Sequence, residues 1–316
     1  MKLKFKTTQN SVSECINCSL CTKNCEFLDK FELDLSSFAK NSDLAYNCFL
    51  CDKCYEVCPK DIKGSEVSLN LRLQKPRKFK LLEFKKEPYL FENNSEKIST
   101  ELFFFGCNFV GYFPKTSKKI IEIFEKEGVD FSIDCCGKPL FEAGLGAEKR
   151  LIYLNELFKK KKTKRLITAC PNCYHFLKPR LDIKVSSLYE KLDEMGLLST
   201  FSNEIDLFFP CPERANYEIY SHFKDKLPNA KNTFSDVNCC GAGGLAMSNE
   251  PEVAQNGVSK VLAKSNQPYT YCATCSGRFG ASSRHISSLF LGVDEKTNKH
   301  YALNVLKFKY YKKGRI

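Results

Sequence analysis

Eight of the chain's eighteen cysteines fall in two runs of identical spacing: Cys15, Cys18, Cys21 and Cys25, then Cys48, Cys51, Cys54 and Cys58. Both read C-x2-C-x2-C-x3-C, and Pro59 follows the second. Three thiolates this close can each hold one iron of a [4Fe–4S] cube, while the remote fourth cysteine serves the other cube. The spacing therefore predicts one cluster on Cys15, Cys18, Cys21 and Cys58, and another on Cys48, Cys51, Cys54 and Cys25. Zinc is the competing chemistry, because C-x2-C is also a zinc element, but zinc favours two separated pairs that close a tetrahedron. Two complete four-cysteine runs favour iron and sulfur. One feature departs from the pattern: Glu26, not proline, follows Cys25, so the exit turn of the first run is expected to differ.

The other ten cysteines form an internal repeat. Cys107, Cys135, Cys136, Cys170 and Cys173 recur as Cys211, Cys239, Cys240, Cys272 and Cys275, shifted by 104 residues for the first three and 102 for the last two. Each unit reads C, then CCG, then C-x2-C, so every cysteine belongs to a module. An adjacent pair places two sulfurs on one iron with difficulty, but it can give one to each of two irons in an opened cluster. Gly137 and the Gly241, Gly243, Gly244 set remove side chains where backbone passes close to inorganic sulfide and can offer N–H···S bonds. The stretch GAGG does not match the G-x-G-x-x-G of a dinucleotide loop.

The two runs have the spacing of bacterial ferredoxins, and two C…CCG…CxxC units resemble the cysteine-rich CCG domains of heterodisulfide reductase B/D subunits. They also resemble the iron–sulfur subunits of glycolate oxidase, anaerobic glycerol-3-phosphate dehydrogenase and lactate utilisation systems. The resemblance runs from about Cys15 to Cys275. It implies a non-cubane [4Fe–4S] centre on the five cysteines of each unit, or zinc in one of them. On this basis Cys239 and Cys240 are the candidate catalytic pair.

The elements that must position these residues read as α/β. Phe31, Leu33, Leu35, Phe38 and Leu44, with Val67, Leu69, Leu71 and Leu73 after Gly64, look similar to a small helical ferredoxin domain over residues 1–75. Charged, proline-interrupted sequence from about Arg72 to Thr100 reads as a basic linker, assigned to 76–100. Two α/β CCG units follow, over 101–200 and 201–300, and a basic tail over 301–316. Short apolar runs lead into cysteines: Leu102–Phe105 into Cys107, Arg165–Thr168 into Cys170, Leu207–Phe209 into Cys211, and Tyr269–Tyr271 into Cys272. Strand ends should thus deliver ligands to one edge of a sheet. Ile120, Ile121, Ile123 and Phe124 predict one intervening helix, and Val253, Val258, Val261 and Leu262 another, capped by Asn249 with Pro251 near its start.

Of 316 residues, 49 are Lys or Arg and 37 Asp or Glu, a net charge of +12. The first fifteen residues carry no apolar leader segment, and no apolar run approaches the ~18 to 20 residues of a membrane span. The expected location is cytoplasmic, where cysteines bind metal more often than they form disulfides. The run Lys159–Arg165 reads as a solvated helix end. The tail, with Phe308, Tyr310 and Tyr311 among lysines, reads as a peripheral membrane or partner contact. No nucleic-acid reading motif is present. His175, two residues beyond Cys173, and Asp134, just before Cys135, are candidate proton donors, with a surface side chain and a turn residue as their ordinary roles. Hydrolytic constellations are missing.

The expected function is an iron–sulfur electron-transfer subunit in a hetero-oligomeric oxidoreductase. With no flavin fingerprint of its own, it would draw electrons from a flavoprotein dehydrogenase of 2-hydroxy acid or glycerol-3-phosphate type and pass them toward a quinone or other acceptor. The alternatives are disulfide or heterodisulfide reduction at the CCG centre, and a non-enzymatic zinc-stabilised scaffold. The second unit, with GAGG and the small Ala273 and Thr274 between its last two cysteines, is expected to admit a substrate or partner more closely than the first. There, Pro139 and Pro171 stiffen the loops.

Overall fold

A computed structural model describes residues 12–81, 83, 92–93 and 97–311. About half of the predicted linker and the last five residues of the basic tail lie outside that range.

The two CCG units repeat in three dimensions as they do in sequence. In the first, four parallel strands run in the order β2-β1-β3-β4, with β1 at Glu101–Phe104, β2 at Asp130–Ser132, β3 at Arg165–Thr168 and β4 at Lys184–Ser187. In the second, β5 (Ile205–Phe208), β6 (Ala230–Lys231), β7 (Tyr269–Thr270) and β8 (Arg284–His285) adopt the matching order β6-β5-β7-β8, again parallel. Parallel strands buried on both faces need near-continuous apolar sequence, which the Leu102–Phe104 stretch of β1 supplies at 0–1% exposure. The chain reverses direction across the sheet between β1 and β3, and between β5 and β7. Crevices at such switch points open at the carboxyl ends of the strands, where Cys107, Cys170, Cys211 and Cys272 follow within three residues.

The units are not independent beads. One core joins Phe103, Phe105, Phe124, Leu166 and Leu188 of the first to Ile205, Leu207, Phe223, Tyr271 and Ile286 of the second. The helix Pro114–Lys126 buries Ile120, Ile121 and Phe124 as expected, but its amino end is satisfied from the other unit. The buried Glu295 carboxylate accepts from Lys115 N and Thr116 N, both at 2.8 Å, and from Thr116 Oγ1 at 2.7 Å. Orphan amides at a helix start are bound tightly by a carboxylate. Glu295→Ala should therefore cost about 2 to 3 kcal/mol, read as a lower denaturant midpoint; an unchanged midpoint would show the tie to be idle.

Residues 12–74 form short helices, Leu20–Lys23, Glu26–Lys30, Leu35–Phe38, Lys53–Glu56 and Gly64–Gln74, around Phe27, Leu28, Leu35, Phe38, Tyr46, Val67 and Leu71. This module packs on both CCG units. Arg72, expected at the start of the linker, lies instead inside the last of these helices and is 0% exposed. Its guanidinium donates to the carbonyls of Ala45, Cys48, Glu142 and Gly244 at 2.7–3.0 Å, touching all three parts of the chain. Glu250 is a second tie, bonding Lys30 at 2.6 Å and Asn47 at 2.5 Å. It also holds the cap position of helix Pro251–Lys264 that was expected of Asn249, whose side chain is drawn to Asn47 and Arg77.

Two basic segments also differ from expectation. Within 159–165, Lys161 is buried against Asp130 at 2.7 Å, and Arg165 on β3 pairs with Glu101, Glu190 and Glu194, so the run is not simply a solvated helix end. In the tail, helix Tyr301–Lys309 folds back onto the first unit. Val305 and Phe308 are buried there, and Tyr311 stacks on Phe308 and meets Phe131 edge-on. Phe308 is therefore spent on the core. Tyr310 alone of the three aromatics stands out, 70% exposed.

Candidate metal centres

The short helices of the amino-terminal module present its cysteines around two cavities. One is lined by Cys15, Cys18, Cys21 and Cys58 together with Pro59. The other is lined by Cys25, Cys48, Cys51 and Cys54. Each therefore draws three thiols from one run and one from the other. Left-handed backbone at Asn17, Ser19, Leu50 and Asp52 lets both runs curl their sulfurs inward. Backbone amides reach the sulfurs as well: Leu50 N to Cys48 Sγ and Ile62 N to Cys58 Sγ, both at 3.4 Å. A Cβ at Gly64 would stand 2.5 Å from Cys54 Sγ, so helix Gly64–Gln74 can begin there only with glycine.

The second cavity is not closed by this module alone. Asn238, Cys239, Val253 and Gly257 of the second CCG unit complete its wall. The Cys239 thiol hydrogen-bonds Cys51, whose own thiol is lowered to about 6 as a result, and Cys239 also contacts Cys211. From this side Gly241 N meets Cys239 Sγ at 3.3 Å, the N–H···S bond expected of the glycines. Gly243 and Gly244 serve differently from the sequence expectation of an open approach for substrate. A Cβ at Gly243 would lie 2.2 Å from Phe49 O, and one at Gly244 2.4 Å from Cys48 O. The GAGG stretch is the seat on which the second cysteine run docks.

The remaining CCG thiols form one row across the junction of the two sheets. Cys136 contacts Cys135 and Cys173, and the donated hydrogen bonds lower it to about 5, with Cys107 near enough to oppose this electrostatically. Cys173 meets Cys170, Cys170 meets Cys272 of the other unit, Cys272 meets Cys275, and Cys275 meets Cys240. The first unit thus gathers all five of its cysteines. The second divides: Cys211 and Cys239 turn to Cys51, while Cys240, Cys272 and Cys275 join the row. Cys272 and Cys275 are 1% and 3% exposed whereas Cys170 is half-buried, but Cys239 and Cys240, at 7% and 5%, are less covered than Cys135 and Cys136, at 0% and 3%, so neither unit is uniformly the more open. Asn108 Nδ2 bonds Thr274 Oγ1 of the other unit at 2.7 Å, and Tyr301 Oη of the tail helix bonds the Cys107 carbonyl at 2.6 Å.

Neither proton-donor candidate stands free. Asp134 is buried, bonded to Ser132 and to Tyr153 Oη at 3.3 Å, with Arg150 at 3.9 Å; burial pushes its carboxyl up to about 6. His175 Nε2 pairs with the fully buried Glu213. The other Glu213 oxygen accepts from Ile219 N and Tyr220 N.

Among the described residues no three Cys, His, Asp or Glu side chains surround a point as ligands of one metal ion; the sulfurs line cavities and contact one another. Four thiols around each of two cavities, with amides directed at sulfur, suit a multi-iron group whose ligands lose their protons on binding. Sequence reasoning missed Arg72, Arg214, Glu213 and Glu250. No local pattern separates these buried charges from solvated neighbours.

This architecture is that of a double cysteine-rich domain protein: residues 102–178 and 205–280 each match the CCG cysteine-rich domain family. The chain thus carries two CCG cysteine-rich domains. It is similar to an uncharacterised iron–sulfur protein of Methanococcus maripaludis, 27% identical over 72% of this chain and 54% of that one. A protein of the same description from Methanocaldococcus jannaschii is 26% identical with the same coverage. The chain spans about half the length of these relatives. Solved glutamate racemases of Campylobacter jejuni and Aquifex pyrophilus align over 64% and 67% of this chain and 89% and 84% of theirs, at 13% and 16% identity. Both have a TM-score of 0.30, too low to bear on fold or function.

Proposed function

We propose that this chain is the electron-transfer subunit of an oxidoreductase complex, carrying two [4Fe–4S] clusters in the amino-terminal module and one or two further centres in the CCG units. The observation that carries the reading is the Cys51–Cys239 contact. It leaves no insulating protein between the inner ferredoxin-type site and the second CCG unit. Clusters supply one-electron steps, and the chain's residues hold them at fixed separation. Arg72, Glu250 and the GAGG seat lock the module onto the units, and the shared core locks the units to each other. The donor is a flavoprotein dehydrogenase of 2-hydroxy acid or glycerol-3-phosphate type, and the acceptor a quinone or another carrier. No described helix is long and apolar enough to cross a membrane, so a membrane acceptor would be met at the surface.

A second reading, disulfide or heterodisulfide reduction at the CCG centres, is favoured by the Cys170–Cys272 contact. This brings the CxxC segments of the two units together, where paired one-electron deliveries would meet.

Anaerobic preparations should contain more than about eight irons with matching sulfide, since the two four-cysteine sites account for only about eight. Eight would confine iron to the amino-terminal module, and zinc in place of iron after reconstitution would refute the proposal. Co-purification with a flavoprotein separates the first reading from the second.

A further inference from the structure

Two buried guanidinium groups adjoin the cysteine run of the centre bounded by Cys25, Cys48, Cys51 and Cys54. Arg72 bonds only carbonyl oxygens, including that of Cys48 at 2.8 Å, and no carboxylate comes within 4 Å of it among the described residues. Glu142, whose carbonyl it contacts, gives its carboxylate to Lys138. Arg214, its side chain 8% exposed, donates to the Cys51 carbonyl at 2.9 Å and to those of Val237 and Asn238. Among the described residues its one ion pair is with Glu56 at 3.2 Å, and Glu56 also binds Lys53.

Two carboxylates line the same cavity: Asp52, a full negative charge that accepts from Ser65 N and Oγ and opposes the guanidiniums, and Glu26, which Lys260 offsets at 2.6 Å. The centre bounded by Cys15, Cys18, Cys21 and Cys58 is built differently. Asp34 and Lys60 line it, Lys60 and Cys18 are exposed, and no buried cation adjoins it among the described residues. A cation in solvent is screened, while a buried one acts at low effective dielectric.

A buried cation that meets only neutral carbonyls is costly unless an anion stands beside it. Four thiolates around iron and sulfide supply such an anion, and reduction makes it more negative. Burial by itself opposes reduction, and the two guanidiniums reverse that bias at the inner centre. We propose that Arg72 and Arg214 are positioning residues that raise the reduction potential of the inner centre above that of the outer one. Electrons delivered by a one-electron donor, such as a reduced flavoprotein, then run inward to the second CCG unit. In that step the outer centre loses one electron and the inner gains it; no bond or proton changes hands.

The inference rests on the two-cluster reading above, and the tests are separable. Iron and sulfide analysis decides the clusters; potentials decide the direction. In the full chain, a redox titration followed by electron paramagnetic resonance should find the inner centre the more easily reduced. Arg72→Met and Arg214→Gln should each move only the inner potential downward, changing the electron's partition between the centres at least tenfold, ~59 mV for a one-electron couple. Arg72→Lys, which retains the charge, should restore most of the Arg72→Met shift. If Arg72→Met fails to fold, Arg214→Gln and the wild-type order decide. An outer centre of equal or higher potential, or a shift shared equally by both centres, overturns the proposal.

Discussion

Cys58→Ser should remove the cluster held by Cys15, Cys18 and Cys21 and leave the one at Cys48, Cys51 and Cys54 in place, although Cys58 is the sequence neighbour of the latter set. The cause is the path of the chain after Cys54. The short helix Lys53–Glu56 carries Cys58 away from its own run, to the cavity lined by Cys15, Cys18, Cys21 and Pro59. Ile62 N then steadies its sulfur at 3.4 Å. A serine oxygen is a poor replacement for thiolate on iron, so the loss should approach four irons of the ~eight in the two cubanes. Cys25→Ser should do the converse. Iron and sulfide analysis with paramagnetic resonance of the reduced protein resolves the two cases. A Cys58→Ser protein whose altered signal belongs to the Cys48, Cys51, Cys54 centre would show that the fourth ligands do not cross.

Gly244→Val should disconnect the amino-terminal module electronically without emptying it. Gly244 has φ +63°, a left-handed conformation that costs a β-branched residue roughly 1–2 kcal/mol. The added Cβ would also stand 2.4 Å from Cys48 O and 3.0 Å from Leu50 Cγ. The Gly244 carbonyl holds Arg72 at 2.7 Å, so relief of the clash pulls on that tie as well. The cheapest relaxation separates the second cysteine run from the GAGG seat and opens the Cys51–Cys239 contact. Electron transfer falls steeply with separation; reduction of the CCG centre by pre-reduced ferredoxin-type clusters should slow by roughly tenfold or more, ~1.4 kcal/mol on the barrier. Iron content should be unchanged, because the clash falls on the Cys48 backbone carbonyl and every ligand sulfur of both cavities is kept. Stopped-flow absorbance after anaerobic mixing with a reductant measures this, and wild-type transfer in a fully loaded variant would show that the contact is not the route.

The cysteine spacing, with the apolar runs ahead of four of the cysteines, was enough to indicate an iron–sulfur protein, two α/β units related by repetition, and strand ends that lead into cysteines. Those properties follow from covalent proximity: three residues of chain set how far apart two thiols can be, and an apolar run before each cysteine can hardly be other than a buried strand. The grouping of sulfurs across the chain is another matter. Cys51 beside Cys239, Cys170 beside Cys272, and the divergence of Cys239 from its neighbour Cys240 depend on how two sheets share one core. Arg72 reads in the sequence as one more charge in a basic stretch. Only the meeting of three segments around its guanidinium makes it a buried keystone, because a solvated arginine and a buried one are the same letter until carbonyls from distant residues replace its water. The GAGG stretch was legible as a close approach of backbone, and the tertiary structure decided what approaches: a neighbouring loop of the chain itself, carrying Cys48.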